Sequence, residues 1–431
     1  MRDFLPEDVR RRQFVIGVIE RVYERYGFEP LETPAAENLE TLMGKYGEEG
    51  NQLIFKILKR GEHEASGEAD LALRYDLTVP LARVIAHYQS KLPRLFKRYQ
   101  IQPVWRADRP ARGRFREFYQ CDVDALGSTS PVVEAEVCAA VSDALVELGF
   151  RDFTIRVNHR GLLTSILSWC QIPPTLQATA LVAMDKLDKI GPDGVKAEMA
   201  AREIDARAAE RLLNEFERLQ KGGFASPIDY DDEGKAAFGN LTAIAVLADE
   251  TSAKGRLVFD PSLARGLSYY TGAIMEINVP DLAGSLGGGG RYDNLVGMFL
   301  GQAVPACGFS LGLERILVVM GERGMFPATL YTTPADVMLA VFDAKDAPHA
   351  LRVAATLRAA GLRVMTYPDA DKIGKQIKYA DGRGIPYVAI LGGDEIANGT
   401  VTVKDLKNQT QTTYNQTAAG AAIREGLTHR G

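Results

Sequence analysis

The sequence predicts an α+β fold, with a largely antiparallel sheet core, a helical insertion and a smaller α/β domain at the end. Three observations lead to it. The chain has 431 residues, more than one core usually supports. Strand-like runs occur before residue 163 and again from 256, whereas 174–220 is rich in helix formers. Beyond residue 333, strand-like and helix-like runs alternate.

Each element of the first domain has a local signal. The first helix has apolar residues at helical spacing and ends near Gly27. The segment "FEPLETP" carries two prolines, which suit an edge strand. The remaining predicted elements are strands within 52–78, two strands within 95–124, a helix over 131–149, the strands "DFTIRV", "RLVFD" and "AIMEINV", and a helix near 312–320.

The last 100 or so residues predict a small α/β domain with a mostly parallel sheet. Its predicted elements are the strands "VMLAVF", "LRVMTY", "YVAILG" and "TVTVKDL" and helices over 347–360 and 371–380. We therefore predict a core formed by 1–165 and 255–325, an insertion over 166–254 and a terminal domain over 326–431.

Composition excludes several classes of protein. Hydrophobic residues make up 46% and charged residues 25%, a globular balance. No apolar run reaches the roughly 18–20 residues that span a bilayer, and the acidic N-terminus is unlike a signal peptide. The four cysteines are scattered, which favours a reducing, cytoplasmic location and no metal site. Net charge is −5, but the tail from 331 carries 12 Lys and Arg against 10 Asp and Glu, so a polyanion would contact the tail.

The segment "RADRPARGRFREFYQCDVD" (106–124) is the first candidate for chemistry. Its loop is rich in arginine, whose rigid fork of donors suits phosphate oxygens. The strand that follows alternates with a period of two and has one largely polar face, which is formed by Arg116, Phe118, Gln120, Asp122 and Asp124. Exposure to solvent would explain such a face, but the adjoining arginines favour a pocket lined by Gln120 and Asp124.

The segment "LARGLSYYTGAIMEI" (263–277) is the second candidate. Arg265 precedes a Tyr-Tyr-Thr-Gly run, and tyrosine hydroxyls in a pocket can hold a small polar ring. Ordinary core and turn aromatics are the alternative interpretation.

The segment "LGGGGRYDNL" (286–295) is the third. It lacks the spacing of a phosphate-binding P-loop or a dinucleotide fold, and its bracketing by strands argues against a flexible linker. We interpret it as a strand that lets a ligand approach the backbone closely. Arg315, at the start of the following helix, can stack on a base or reach a triphosphate.

The histidines form no H-E-x-x-H motif, and no G-x-S-x-G motif is present. The chemistry is therefore expected to depend on arginines and carboxylates without a protein nucleophile. Phosphoryl or nucleotidyl transfer fits, because positioning and charge neutralisation carry most of that catalysis.

Together these segments resemble the histidyl-tRNA synthetases, which are class II aminoacyl-tRNA synthetases. The resemblance runs from "MRDFLPEDVRRRQ" to the tail. Segments 106–124 and "GGGRYDNL…GFSLGLERIL" are similar to the second and third class II motifs, and "ARGLSYYTG" to a signature of the histidine enzymes. "LRYDLT" resembles a loop that grips the amino acid, and the tail resembles an anticodon-binding domain.

The resemblance implies a reaction and a set of roles. The expected activity is ATP-dependent formation of histidyl-adenylate and its transfer to tRNA-His, by a homodimer, with Mg²⁺ accompanying ATP. Arg106 and Arg265 would be catalytic: Arg106 would hold the α-phosphate and the histidine carboxylate during attack, and Arg265 would neutralise the charge that develops on the α-phosphate. The implied histidine-binding residues are Asp76, Thr78, Arg106, Gln120, Asp124, Arg265, Tyr269, Tyr270 and Tyr292, and the implied ATP-binding residues are Arg106, Asp108, Arg114, Phe118 and Arg315.

Three departures from the family pattern stand out. Ser268 replaces an Asp, Asp108 replaces a Glu that reaches toward the adenine amino group, and the chain begins directly at "MRDF", which bears on the dimer interface. Two alternatives remain. A non-catalytic paralogue could sense histidine as a regulatory subunit, and a class II synthetase could serve another amino acid.

Overall fold

The computed structural model describes residues 1–61, 66–184, 186–264, 269–327, 330 and 333–428. Two compact units make up the chain, Met1–Phe326 and Pro327–Gly431. In the first unit the strands are β1 (Glu29–Pro30), β2 (Ala36–Asn38), β3 (Lys56–Leu58), β4 (Ala69–Leu73), β5 (Phe96–Trp105), β6 (Glu117–Leu126), β7 (Thr154–His159), β8 (Leu257–Phe259), β9 (Ala273–Asn278), β10 (Gly287–Arg291) and β11 (Ala306–Gly312).

The helices of the first unit include the predicted first helix and those predicted over 131–149 and near 312–320, together with others that the sequence did not predict. They are α1 (Pro6–Arg25), α2 (Leu39–Leu42), α3 (Gly47–Gln52), α4 (Thr78–Tyr88), α5 (Val132–Glu147), α6 (Arg160–Trp169), α7 (Pro174–Met184), α8 (Leu187–Ala201), α9 (Ala206–Gly222), α10 (Asp232–Ala248), α11 (Gly297–Leu300) and α12 (Leu313–Glu322). Helices α7 to α10 lie between β7 and β8, where the sequence predicts the insertion. The insertion's bounds as a domain of its own stay a prediction.

The main sheet of the first unit has, within the described residues, the strand order β1-β5-β6-β11-β10-β9-β7-β8. Its interior pairs are antiparallel, and the outermost pairs, β1 with β5 and β7 with β8, are parallel. The proline-bearing β1 lies at an edge, as a strand that lacks a backbone donor requires. Among the described residues, β2, β4 and β3 form a separate antiparallel sheet.

One face of the main sheet packs on helices and the other faces a cavity. Cys121 and Val123 of β6 are buried in an apolar core with residues of α1 and α5. Gln120, Asp122 and Asp124 alternate with them and lie on the cavity side. This alternation confirms the polar face predicted from the period of two.

The second unit is an α/β domain, as predicted. Its elements are β12 (Val337–Val341), α13 (Ala347–Ala359), β13 (Val364–Thr366), α14 (Ile373–Gly382), β14 (Tyr387–Leu391), α15 (Gly393–Asn398), β15 (Thr400–Asp405), β16 (Thr410–Asn415) and α16 (Ala419–Thr428). Strand β12 pairs in parallel with β13 and β14, but β14–β15 and β15–β16 are antiparallel.

The prediction of a mostly parallel sheet in this unit was therefore wrong for its β15–β16 half. The Asp405 carboxylate accepts from the backbone N–H groups of Lys407 and Asn408, at 2.9 Å each, and so starts the turn of a hairpin. Strand β16, "TQTTYN", is almost wholly exposed, so it has no apolar alternation by which its sequence would reveal it. No helix in the described part of the chain has the length and apolarity needed to cross a membrane.

Candidate active site

A cavity of about 380 Å³ lies on the polar side of the main sheet. Strands β6, β9, β10 and β11, the loop over 106–115 and the start of α12 line it. It brings together every predicted site residue that the structure describes, namely Asp76, Thr78, Arg106, Asp108, Arg114, Phe118, Gln120, Asp124, Tyr269, Tyr270, Tyr292 and Arg315. Arg265 and Ser268 lie outside the described residues.

Asp124 is held at the bottom of the cavity by two partners. The Tyr292 hydroxyl donates to Asp124 Oδ1, and Arg98 Nη2 lies 2.8 Å from Asp124 Oδ2. Both Asp124 and Arg98 are almost completely buried. Burial raises the pKa of the Asp124 carboxyl, whereas Arg98 and Tyr292 act in the opposite direction. A carboxylate fixed in this way can accept a hydrogen bond from a ring N–H.

Gly308 makes room for that carboxylate. Gly308 of β11 lies directly opposite Asp124 of β6, and a Cβ on Gly308 would collide with the carboxylate. The backbone at this position therefore accepts no side chain while Asp124 keeps its place.

Asp76, just before α4, accepts three hydrogen bonds. Its donors are the backbone N–H of Val79 at 3.0 Å, the Tyr46 hydroxyl at 3.0 Å and the Tyr269 hydroxyl at 3.2 Å. Burial raises the pKa of Asp76, and these donors oppose the rise. Burial raises the pKa of Tyr269, and Thr78, the first residue of α4, opposes the rise. This cluster is suited to a bound ammonium group, because every free lone pair on the carboxylate is an acceptor.

The arginine loop also lines the cavity. Arg106 donates from Nε to the carbonyl oxygen of Tyr75 at 3.1 Å, and its guanidinium lies 4.3 Å from the Tyr75 ring centre and 5.2 Å from that of Phe118. Arg114 pairs with Asp108 at 2.9 Å. Arg106 and Arg114 thus both face the cavity with donors.

Arg315 enters the cavity from the N-terminal turn of α12. It donates from Nη1 to the carbonyl oxygen of Ser285, and a Cβ on Gly113 would lie 3.2 Å from Arg315 Cγ. Arg112, from the same arginine loop as Arg114, instead pairs with Glu322 and does not line the cavity.

The glycine run forms β10 and serves both faces of the sheet. A Cβ on Gly287 or Gly289 would collide with β11 and lie against the Phe309 ring. A Cβ on Gly288 would lie 3.3 Å from the carbonyl oxygen of Met275, and a Cβ on Gly290 would lie 3.1 Å from the Tyr270 ring. The run is therefore cavity floor, as interpreted, and also a packing surface for β11.

Several groups at the site carried no role in the sequence analysis. Arg98, Tyr46 and Ser310 were missed, and Asp122 was placed on the polar face without a function. Burial raises the pKa of Asp122 to about 7, Arg98 opposes the rise and Asp124 adds to it. One signal was available for Arg98, since Arg98, Gln100 and Gln102 alternate along β5 with the same period of two as β6.

Among the described residues, no group of three or more His, Cys, Asp or Glu side chains could hold a metal ion. The carboxylates of the cavity are instead engaged by arginine and by hydroxyl or backbone donors, as described above for Asp76, Asp108 and Asp124.

Comparison with known proteins identifies the family. The model of the histidyl-tRNA synthetase family matches residues 1–316, and that of an anticodon binding domain matches 336–425. A histidine–tRNA ligase of Christiangramia forsetii is 40% identical over 449 residues, covering 98% of both chains. One of Gloeobacter violaceus is 40% identical over 453 residues, covering 98% of this chain and 97% of its own.

The fold agrees with this match. The crystal structure of histidyl-tRNA synthetase from Nostoc sp. PCC 7120 has a TM-score of 0.77 and 32% identity, and the similarity covers 98% of this chain and 97% of that one. The chain belongs to the histidyl-tRNA synthetase family.

Proposed function

We propose that the chain is a histidine–tRNA ligase, which activates L-histidine with ATP and transfers it to the 3′ end of tRNA-His. One observation carries the proposal. One cavity is lined both by a buried acidic cluster suited to an amino acid and by arginines suited to a triphosphate. The alternative of a regulatory paralogue is less supported, because the ligases above are similar over nearly the whole chain.

The acidic cluster is chemically matched to histidine. Asp76, Thr78 and Gln120 would take the α-ammonium group, since all three line the cavity and carry oxygen acceptors. Asp124 and Tyr270 would read the imidazole, whose two nitrogens differ as donor and acceptor. A site of this kind rejects analogues that lack a partner group by about 10⁴ or more, because its buried polar groups would be left unpaired.

The arginines of the cavity are matched to ATP. Phe118 and Arg315 would hold the adenine ring between them, Arg114 would contact the outer phosphates, and Asp108 would orient Arg114. Arg106, stacked between Tyr75 and Phe118, would hold the α-phosphate and the histidine carboxylate together. Its planar fork can contact two oxygens at once.

These positions define the first step. A histidine carboxylate oxygen attacks the α-phosphorus, an O–P bond forms, the bond between the α- and β-phosphates breaks, and pyrophosphate leaves. Arg106, together with Arg265 by family resemblance, neutralises charge that develops on the α-phosphate oxygens. In the second step a terminal ribose hydroxyl of tRNA attacks the acyl carbon of the adenylate, loses its proton, and AMP leaves.

Other expected features also belong to this proposal. Mg²⁺ would enter as part of the substrate Mg·ATP, bound to phosphate oxygens. The second unit would bind the tRNA anticodon, and the protein would act as a homodimer in the cytoplasm. The four cysteines are free and buried, which suits a reducing compartment.

Two variants test the assignment of roles by histidine-dependent exchange of pyrophosphate into ATP. Arg265→Ala should lower kcat, because it removes charge stabilisation from the transition state. Asp124→Asn should raise the KM for histidine while the KM for ATP changes little. Unchanged exchange in Arg265→Ala, or equal effects of Asp124→Asn on both substrates, would contradict these roles.

A further inference from the structure

Three polar side chains from β6 and β11 lie together beside the cavity. Gln120 Nε2 donates to Ser310 Oγ at 2.8 Å, and the Ser310 hydroxyl, on the residue opposite Asp122, acts to lower the pKa of the Asp122 carboxyl. Gln120 Nε2 also lies 3.4 Å from Asp122 Oδ1. The strand register brings Ser310 and Asp122 together, because they are opposite each other in the β6–β11 pair. We refer to Gln120, Ser310 and Asp122 as the relay.

The relay has one consistent direction. An ionised carboxylate only accepts, so the single proton of the Ser310 hydroxyl goes to Asp122. The Ser310 oxygen must then accept its second hydrogen bond, and the Gln120 amide must supply the N–H. The reverse orientation of the amide would place its oxygen against the Ser310 and Asp122 oxygens with no proton between them.

We propose that Asp122 and Ser310 are positioning residues that fix the Gln120 amide with its oxygen as the acceptor for the substrate's α-ammonium group. Gln120 and Asp122 are both buried, and both line the cavity. Gln120 Oε1 is buried and has no hydrogen-bond partner among the described residues. An unpaired buried acceptor is costly, and a bound ammonium would satisfy it. The inference rests on the proposed function and adds to it two residues that have no direct contact with the reacting atoms.

Asp122→Asn gives the sharpest test. An amide at 122 can donate to Ser310, which can then donate to Gln120 Oε1, so the variant favours the reversed Gln120 amide. Its NH₂ group would then face the substrate ammonium. Near pH 8.5 the wild-type carboxylate is ionised, because this pH lies above the raised pKa of Asp122, about 7.

Two histidine analogues distinguish this effect from a general loss of binding at the site. Histidinol keeps the ammonium group and lacks the carboxylate, whereas imidazolepropionate lacks the ammonium group. Asp122→Asn should weaken histidinol binding, measured calorimetrically, at least about tenfold, and should change imidazolepropionate binding less than about twofold. An equal loss for both analogues, or no loss for histidinol, would overturn the proposal.

Variants of Ser310 test whether Asp122 acts through the relay or only by its charge. Ser310→Ala removes the connecting hydroxyl and should weaken histidinol selectively, whereas Ser310→Thr keeps a hydroxyl and should bind like wild type. If Asp122 acts through Ser310, the double variant Ser310→Ala/Asp122→Asn binds histidinol no more weakly than the weaker single variant. Losses that multiply would show that charge alone is responsible and would overturn the relay.

The outcomes also separate the inference from the function on which it rests. A wild-type protein that shows no histidine-dependent pyrophosphate exchange overturns the proposed function. Where the wild type exchanges with histidine but the variants show no selectivity for the ammonium group, the relay alone is refuted.

Discussion

Asp122→Asn should make the protein more stable, and increasingly so as the pH rises. Asp122 is 2% exposed and shares one guanidinium, that of Arg98, with Asp124. Desolvation is the largest cause of its raised pKa, and the Asp124 charge adds to it. Two buried carboxylates with one counter-charge leave one negative charge without a partner, and asparagine removes it.

The magnitude follows from proton linkage. The pKa of Asp122 rises from 3.8 to about 7 on folding, and each tenfold change in proton affinity is worth about 1.4 kcal/mol. Between these pH values the unfolded chain has lost the proton and the folded chain keeps it, so stability falls as the pH rises. The gain from asparagine should therefore be on the order of 2 kcal/mol near pH 5 and roughly twice as large above pH 7.

Urea unfolding followed by tryptophan fluorescence measures this gain. Both tryptophans, Trp105 and Trp169, lie in the unit Met1–Phe326 that contains Asp122, so the signal reports on that unit. Asp281→Asn is the control. Hydrogen bonding to Arg323 lowers the pKa of Asp281, so replacing this carboxylate should not increase the free energy of unfolding at either pH. A gain from Asp122→Asn that is the same near pH 5 and near pH 8.5 would refute the reasoning.

Two further changes bear on Asp124. Gly308→Ala should displace the Asp124 carboxylate and raise the KM for histidine about 10- to 100-fold in pyrophosphate exchange, with the KM for ATP changed less than about threefold; an equal rise in both would contradict the proposed contact. Arg98→Met leaves Asp124 buried without its counter-charge and should lower the free energy of unfolding by about 3–5 kcal/mol in urea; a loss below about 1 kcal/mol would show that the pair contributes little.

The relay and this stability prediction concern the same carboxylate. Asp122 costs stability at neutral pH, and in the proposed relay it orients Gln120. Asp122→Asn should therefore be a more stable protein that binds histidine more weakly. Such an exchange of stability for function is common at binding sites.

Much of the site was predictable because its residues follow local patterns. The period of two in β6 placed Gln120 and Asp124 on one face, and the structure puts both in the cavity. The loop that carries Arg106 and Arg114 and the glycine run of β10 also stood out by composition alone. All of these signals lie within short stretches of sequence.

The groups that were missed depend on contacts distant in sequence. Arg98 becomes a partner of Asp124 only through the register of β5 with β6. Ser310 meets Asp122 only because β11 pairs with β6. Tyr46 contacts Asp76 across 30 positions of the sequence. No spacing rule within one segment specifies such pairings.

The terminal hairpin shows a different reason for failure. Strand β16 is stabilised by pairing with β15 at the edge of the sheet, and its side chains are exposed. Periodicity reveals a strand only where one face is buried. Strands β12 and β14 of the same sheet were predicted because they are buried along their whole length and consist of apolar and aromatic residues.

Pyrophosphate exchange into ATP, screened with each of the twenty amino acids in turn, tests the central claim most directly. Histidine alone should drive exchange, because in the proposed binding mode only an imidazole satisfies both Asp124 and Tyr270 while the ammonium group binds Asp76 and Gln120. Exchange driven by another amino acid would contradict the assignment of the cavity to histidine. Exchange with none of them would favour a regulatory paralogue.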